Sequence, residues 1–265
     1  MKRLLIILLI SLFFSIVSPI SAQEFDYQHA YQNYLDSCNQ YRESHDKYVI
    51  VKDQYLTYQT LTSKNKALIA TREMLEKRSQ ALRTYLTALR IQLAKATGVI
   101  GDQINSLYMK LDKQIDYFVK HEDSLTSAPT LEKALEISAE FENKYLETET
   151  IIYQALGEII GANEAKLYHR TYQLISETEK KVLEIKEKNE KKASLLENWL
   201  SEAQKKLGES QEKQHYAETT IRNLKVGGKT GKNFEEAQFA LKESNQHLKE
   251  AVFYLKEIIQ KIKYD

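Results

Sequence analysis

Apolar side chains recur at intervals of seven residues along most of this chain. Tyr27, Tyr34, Tyr41, Tyr48 and Tyr55 keep that interval, as do Leu68, Leu75, Leu82 and Leu89. So, near the end, do Phe234, Leu241, Leu248, Leu255 and Ile262. Residues seven apart return to nearly the same face of an α-helix. A strict period of seven, rather than a drifting 3.6, implies helices that supercoil left-handedly against neighbours. Strand-like alternation between turn residues is absent. Two prolines and eight glycines in 265 residues leave few breaks. The expected fold is all-α: long antiparallel helical hairpins with coiled-coil heptad packing, about five to seven helices in all.

The first 22 residues stand apart. Lys2 and Arg3 precede an apolar run over 4–17, relieved only by Ser11 and Ser15, and then Ser18, Pro19, Ile20, Ser21 and Ala22. A charged start, an apolar middle and a small residue at the cut describe a secretory signal peptide, with cleavage after Ala22. An uncleaved N-terminal anchor is the alternative. The whole chain carries 38 basic and 37 acidic residues. Losing Lys2 and Arg3 with the leader brings this to 36 against 37. Such a balance gives no overall electrostatic drive toward nucleic acid or anionic lipid, and no later apolar run has membrane-spanning length. Cys38 is the only cysteine, so no intrachain disulfide forms in an oxidising compartment. A buried free thiol is expected there.

The breakers divide the mature chain. A first helix from about residue 24 to 60 carries the tyrosine stripe, with Tyr31, Cys38, Val51 and Tyr58 beside it. A polar turn at Thr62, Ser63, Lys64 and Asn65 leads to the leucine-seamed helix, which ends at Gly98 and Gly101. Tyr55 should meet Leu68 and Tyr48 should meet Leu75, continuing outward. A third helix carries Ile104, Tyr108, Leu111, Ile115 and Phe118 and stops before Ser127, Ala128 and Pro129. A fourth starts near Thr130, with Leu131, Phe141, Tyr145, Ile152 and Ile159 inward, and meets Gly157 and Gly161 near its end. From 163 to 224 one register continues through Tyr168, Ile175, Val182, Asn189, Leu196, Ala203, Ser210, Ala217 and Leu224. The charged run 177–192 holds Glu177–Lys181, Glu184–Lys188 and Glu187–Lys191 in the favourable order. It is either a solvated helical connector or the place where the helix breaks. Val226 to Gly231 form the clearest turn, between two arms whose seams hold many small residues. The organisation expected is a signal peptide at 1–22, a hairpin plus third helix at 23–125, middle helices and connector at 126–190, and a C-terminal hairpin at 191–265.

Chemistry is hard to find. Gly227, Gly228, Lys229 and Thr230 lack the upstream glycine and strand of a phosphate loop, since Asn223 stands where that glycine belongs. Glu212 with His215, Asp26 with His29, and Glu243 with His247 have ligand-like spacing, but none amounts to a full metal site. His45 lies two helical turns from Cys38, out of hydrogen-bond reach within one helix. No catalytic residue, cofactor or metal ligand is therefore expected. The tyrosine stripe at Tyr27, Tyr34, Tyr41, Tyr48 and Tyr55 is the one candidate interaction surface, because tyrosine joins a flat apolar face to a polar tip. It either packs on the second helix or forms a ridge for a partner helix, peptide or glycan. The function expected is that of an exported, non-enzymatic structural or protein-interaction protein of the periplasm, cell surface or exterior. Protein partners or self-association would complete its packing. An exported binding module with a tyrosine-rich groove is the alternative.

Overall fold

Helical hydrogen bonding in this chain is interrupted where a capping group is at hand. The computed structural model describes residues 20–97 and 102–264, and within them the protein is all-α. Six helices follow one another there: α1 (Ile20–Tyr58), α2 (Leu61–Thr97), α3 (Asp102–Thr126), α4 (Leu131–Lys188), α5 (Glu190–Arg222) and α6 (Thr230–Tyr264). Adjacent helices pack as antiparallel pairs. The leader up to residue 19, and the expected stop at Gly98 and Gly101, lie outside the described residues.

The first turn comes earlier than the sequence suggested. Gln59 takes a left-handed conformation (φ 46°) and its N–H donates to Tyr55 O at 2.9 Å. Thr60 and Ser63 then cap α2 reciprocally: Ser63 N donates to Thr60 Oγ1 at 3.1 Å, and Thr60 N donates to Ser63 Oγ at 2.9 Å. Thr62, Ser63, Lys64 and Asn65 accordingly belong to the first turn of α2. In an antiparallel hairpin the turn sets the register. Tyr34 therefore meets Tyr85, with ring centroids 5.0 Å apart, instead of Leu89 one helical turn further on. Lys47 pairs with Glu73 at 3.3 Å in the same register.

The seam of α1 also differs from expectation. Among its described side chains Ala30, Ser37 and Ser44 are buried, three positions after Tyr27, Tyr34 and Tyr41, while Tyr31 and Tyr58 are exposed and Cys38 is half-buried. Small side chains permit closer approach to α2, where Ala67, Ala70, Ala81 and Ala88 are buried in turn. Packing thus selects size over apolarity at these positions.

Thr130 caps α4, its Oγ1 accepting from Lys133 N at 3.2 Å. The helix then passes through Gly157 and Gly161 without ending, and its 58 residues extend about 87 Å. Tertiary packing outweighs the weak helix propensity of the two glycines. The break falls at Asn189 (φ −156°, ψ 91°), inside the charged run, and α5 turns back along α4. Of the charged pairs expected there, the structure instead pairs Lys181 with Glu184 and, across the turn, Lys186 with Glu197.

Four apolar clusters result among the described residues, and α4 belongs to the two largest. Leu86, Leu89 and Leu93 of α2 pack with Leu111 and Phe118 of α3 and with Phe141 and Ile151 of α4. Further along α4, Ile175 and Val182 pack with Leu196, Ala203 and Leu207 of α5 and with Leu248, Leu255 and Ile258 of α6. On α4, Phe141 and Ile159 are buried as expected, whereas Tyr145 is exposed and Leu131 and Ile152 are only half-buried. Thr148 and Ala155 take interior places instead. The polar seam of α5 and α6 is satisfied internally: Ser210 Oγ lies 2.9 Å from Ser244 Oγ, and Gln214 Nε2 donates to both hydroxyls.

Candidate interaction surface

Among the described residues helix α1 packs on α2 alone, while α2 also carries α3 and α4. The five stripe tyrosines, Tyr27, Tyr34, Tyr41, Tyr48 and Tyr55, are each half-buried along that contact. Their surroundings differ along the helix. Toward the hairpin turn, His45 stands between the rings of Tyr41 and Tyr48, at 6.0 and 6.3 Å. Toward the N-terminal end, Tyr27 stacks on Tyr31 at 5.9 Å, Tyr31 lies 5.9 Å from Tyr34, and Tyr34 reaches Tyr85.

Tyr85 gathers a wider cluster. Burial, and then the nearby phenols of Tyr27, Tyr153, Tyr31 and Tyr145, hold its hydroxyl above the usual 10.0. Three helices thus contribute: α1 supplies Tyr27, Tyr31 and Tyr34, α2 supplies Tyr85, and α4 supplies Tyr145 and Tyr153. Tyr153 in turn lies 4.7 Å from Phe234 of α6. Burial and a hydrogen bond with the Cys38 thiol push Tyr34 up to about 12. The Tyr34 and Tyr85 phenols therefore keep their protons at neutral pH, and each presents a donor at the rim of a ring face. Sequence spacing found the α1 members but not Tyr85, Tyr145 and Tyr153, which follow no shared heptad and meet only through the tertiary fold.

Buried polar groups lie elsewhere. His121 Nδ1 is 2.8 Å from Ser79 Oγ, and its Nε2 is 3.3 Å from Ile137 O. A Ser–His contact of this kind could not be read from the spacing, because the two residues sit on different helices. The Ser79 hydroxyl is fully buried, so no substrate carbonyl can reach it while the bundle is closed. Burial lowers the His121 pKa from 6.5, the Arg78 guanidinium lowers it further, and the Ile137 carbonyl and Glu140 oppose the shift. Between α4 and α6, Glu164 is 5% exposed in a cleft of about 470 Å³ that also holds Lys242, Asn245 and Lys249. Its Oε2 accepts from Asn245 Nδ2 at 3.1 Å, its Oε1 has no hydrogen-bond partner, and burial holds the carboxyl above the usual range.

The residues with ligand-like spacing are engaged otherwise. Glu243 pairs with Lys213 at 2.8 Å, and His247 faces Glu209 at 3.1 Å. His29 lies 3.3 Å from Asn33, and His215 is exposed. Among the described residues, no three His, Cys, Asp or Glu side chains are grouped to hold a metal ion. The 227–230 segment joins two helices as a turn, with Gly227 at φ 73° and Gly228 N donating to Lys225 O at 3.1 Å. No described helix is long and apolar enough to cross a membrane. Comparison with family models, curated proteins and solved structures finds no match to this chain.

Proposed function

We propose that this is an exported, non-enzymatic helical protein whose work is to present long coiled-coil surfaces to protein partners or to further copies of itself. The observation that carries this reading is the position of α1. Among the described residues this helix of 39 residues is covered by one neighbour, and it keeps Tyr31, Leu35 and Val49 exposed. An incompletely covered helix with apolar residues outward suits assembly. The leader supports an envelope or extracellular setting. Sedimentation velocity at micromolar concentration, with crosslinking in the native envelope, tests the reading. Self-association or a reproducible crosslinked neighbour through α1 is expected; a compact monomer without neighbours overturns it.

One observation favours a second reading, an exported binding module. Tyr34 of α1 packs on Tyr85 of α2 beside Tyr31 and Tyr27, a ring-rich site of the kind that stacks on peptides or glycans. Changing Tyr34, Tyr41 and Tyr48 to Ala separates the readings. Loss of folding marks the stripe as packing, and retained folding with lost partner binding marks it as a binding surface.

A further inference from the structure

Among the described side chains of α1 and α2, eight large apolar ones are exposed, and six of them lie between residues 49 and 69, at the turn end of the hairpin. They are Val49, Ile50, Leu56 and Tyr58 on α1, and Leu61 and Ile69 on α2. Exposure is greatest beside the turn itself, at 69% for Tyr58 and 76% for Leu61. Residues 54–63 contain no charged side chain. Around this end, residues 50–69 hold Lys52, Lys64 and Lys66 against Asp53, and Glu132 of α4 pairs with Lys64, which leaves one net positive charge.

The arrangement distinguishes between kinds of partner. At about 100° per residue, Val49 and Leu56 share a direction, Ile50 lies a quarter-turn away and Tyr58 lies on the opposite side. A partner helix or groove reads one stripe, and Ile50 and Tyr58 lie off the one that Val49 and Leu56 share. A lipid surface sorts side chains by depth, whatever their direction. Leu56, Tyr58 and Leu61 fall within about 5 Å of the turn along the helix axis. Lys64, Lys66 and Lys52 fall about 6–10 Å behind the turn. Lys64 holds Glu132 at 2.6 Å, and the stems of the other two can carry their charge to lipid phosphates.

We propose that the turn end of the α1–α2 hairpin is an interfacial anchor for an anionic lipid surface. Leu56, Tyr58 and Leu61 enter the boundary between headgroups and acyl chains, and Lys52 and Lys66 meet the phosphates. This goes beyond the protein-interaction reading and uses the tip of the hairpin rather than its flank.

The test uses the full chain with Leu61→Trp and Trp199→Phe, so that a single reporter sits at the tip. Phe253→Trp in the same Trp199→Phe background places the reporter on an exposed site of α6. Vesicles of phosphatidylcholine with 30% phosphatidylglycerol should blue-shift the tip reporter and expose it to quenching by brominated acyl chains. They should leave the α6 reporter unchanged, and salt should weaken the effect. Because all variants share the same N-terminal segment, tethering through that segment cannot produce a tip-specific signal. The triple variant Leu56→Ser, Tyr58→Ser, Leu61→Ser should partition about tenfold less or weaker still, with its helical content intact. An unchanged tip reporter, equal shifts at both sites, or full binding by the triple variant overturns the proposal. So does a tip that captures an envelope protein but no vesicles, an outcome that would leave the protein-interaction reading standing.

Discussion

Gly157 and Gly161 lie one turn apart on α4 in opposite surroundings. A Cβ on Gly157 would stand 2.6 Å from Ile221 Cδ1 and 2.8 Å from both Cγ1 and Cγ2, so no single bond rotation clears it. A Cβ on Gly161 meets nothing within 4 Å. Gly157→Ala should therefore destabilise the protein, because overpacking costs about 1–3 kcal/mol and helix propensity returns only about 1. Gly161→Ala should stabilise it by about 0.5–1 kcal/mol. Urea unfolding of both variants checks the pair; equal signs would mean that α4 does not approach α5 so closely. His121 sets a pH dependence at the same scale. Its folded-state pKa lies below the ordinary 6.5, so the folded protein holds the neutral ring and the unfolded chain takes up the proton first. The stability this contributes is complete above pH 6.5 and declines as pH falls below it. Relative to His121→Gln, the wild type should thus lose stability between pH 7 and pH 5, as followed by thermal melts. Parallel curves would show that the ring is not desolvated. Neither site was legible beforehand, since an unlabelled glycine and a lone histidine gain meaning only from the helix packed against them.

Among the elements, the turn between α1 and α2 is the most exposed to design. Gln59 holds φ 46°, a conformation that costs a non-glycine residue about 1–2 kcal/mol. Gln59→Gly should raise stability by about 0.5–1 kcal/mol, allowing for the greater freedom glycine has when unfolded. A melt of the purified variant measures it, and a fall would mean that the Gln59 side chain supports the turn. This residue also explains what sequence reading missed. Glutamine is not a turn former, so the eye passed to the polar cluster at 62–65, and the register slipped by one helical turn. Where a strong breaker or cap stood at the joint, as at Pro129 with Thr130 or at the 227–230 turn, the helix boundary was legible. Heptads showed which face of α6 is buried, where Leu241, Leu248 and Leu255 line the core. They misassigned α1, where apolar Tyr31 and Tyr58 yield the seam to Ala30, Ser37 and Ser44. The stripe tyrosines were recognisable as one face, but their partners Tyr85, Tyr145 and Tyr153 needed a third dimension.

In the whole molecule, cover is uneven. Among the described residues three helices pack on α2 and one packs on α1, so α1 should open first. Hydrogen exchange should show α1 amides exchanging through openings of lower free energy than those of α2 under conditions where the protein is monomeric. Equal protection would mean that α1 is no less stable than the bundle behind it. The shared helix α4 has a consequence for how the chain is made. Synthesis runs from the N-terminus, so the first half of α4 meets α2 and α3 already in place. Its second half emerges before α5 and α6 exist, and Ile175 and Val182 have nothing to pack on until the chain turns at Asn189 and returns. Over that interval the charged run at 177–192 gives the half-helix a mainly polar exterior, with few apolar side chains beside Val182 and Ile185 left to cover.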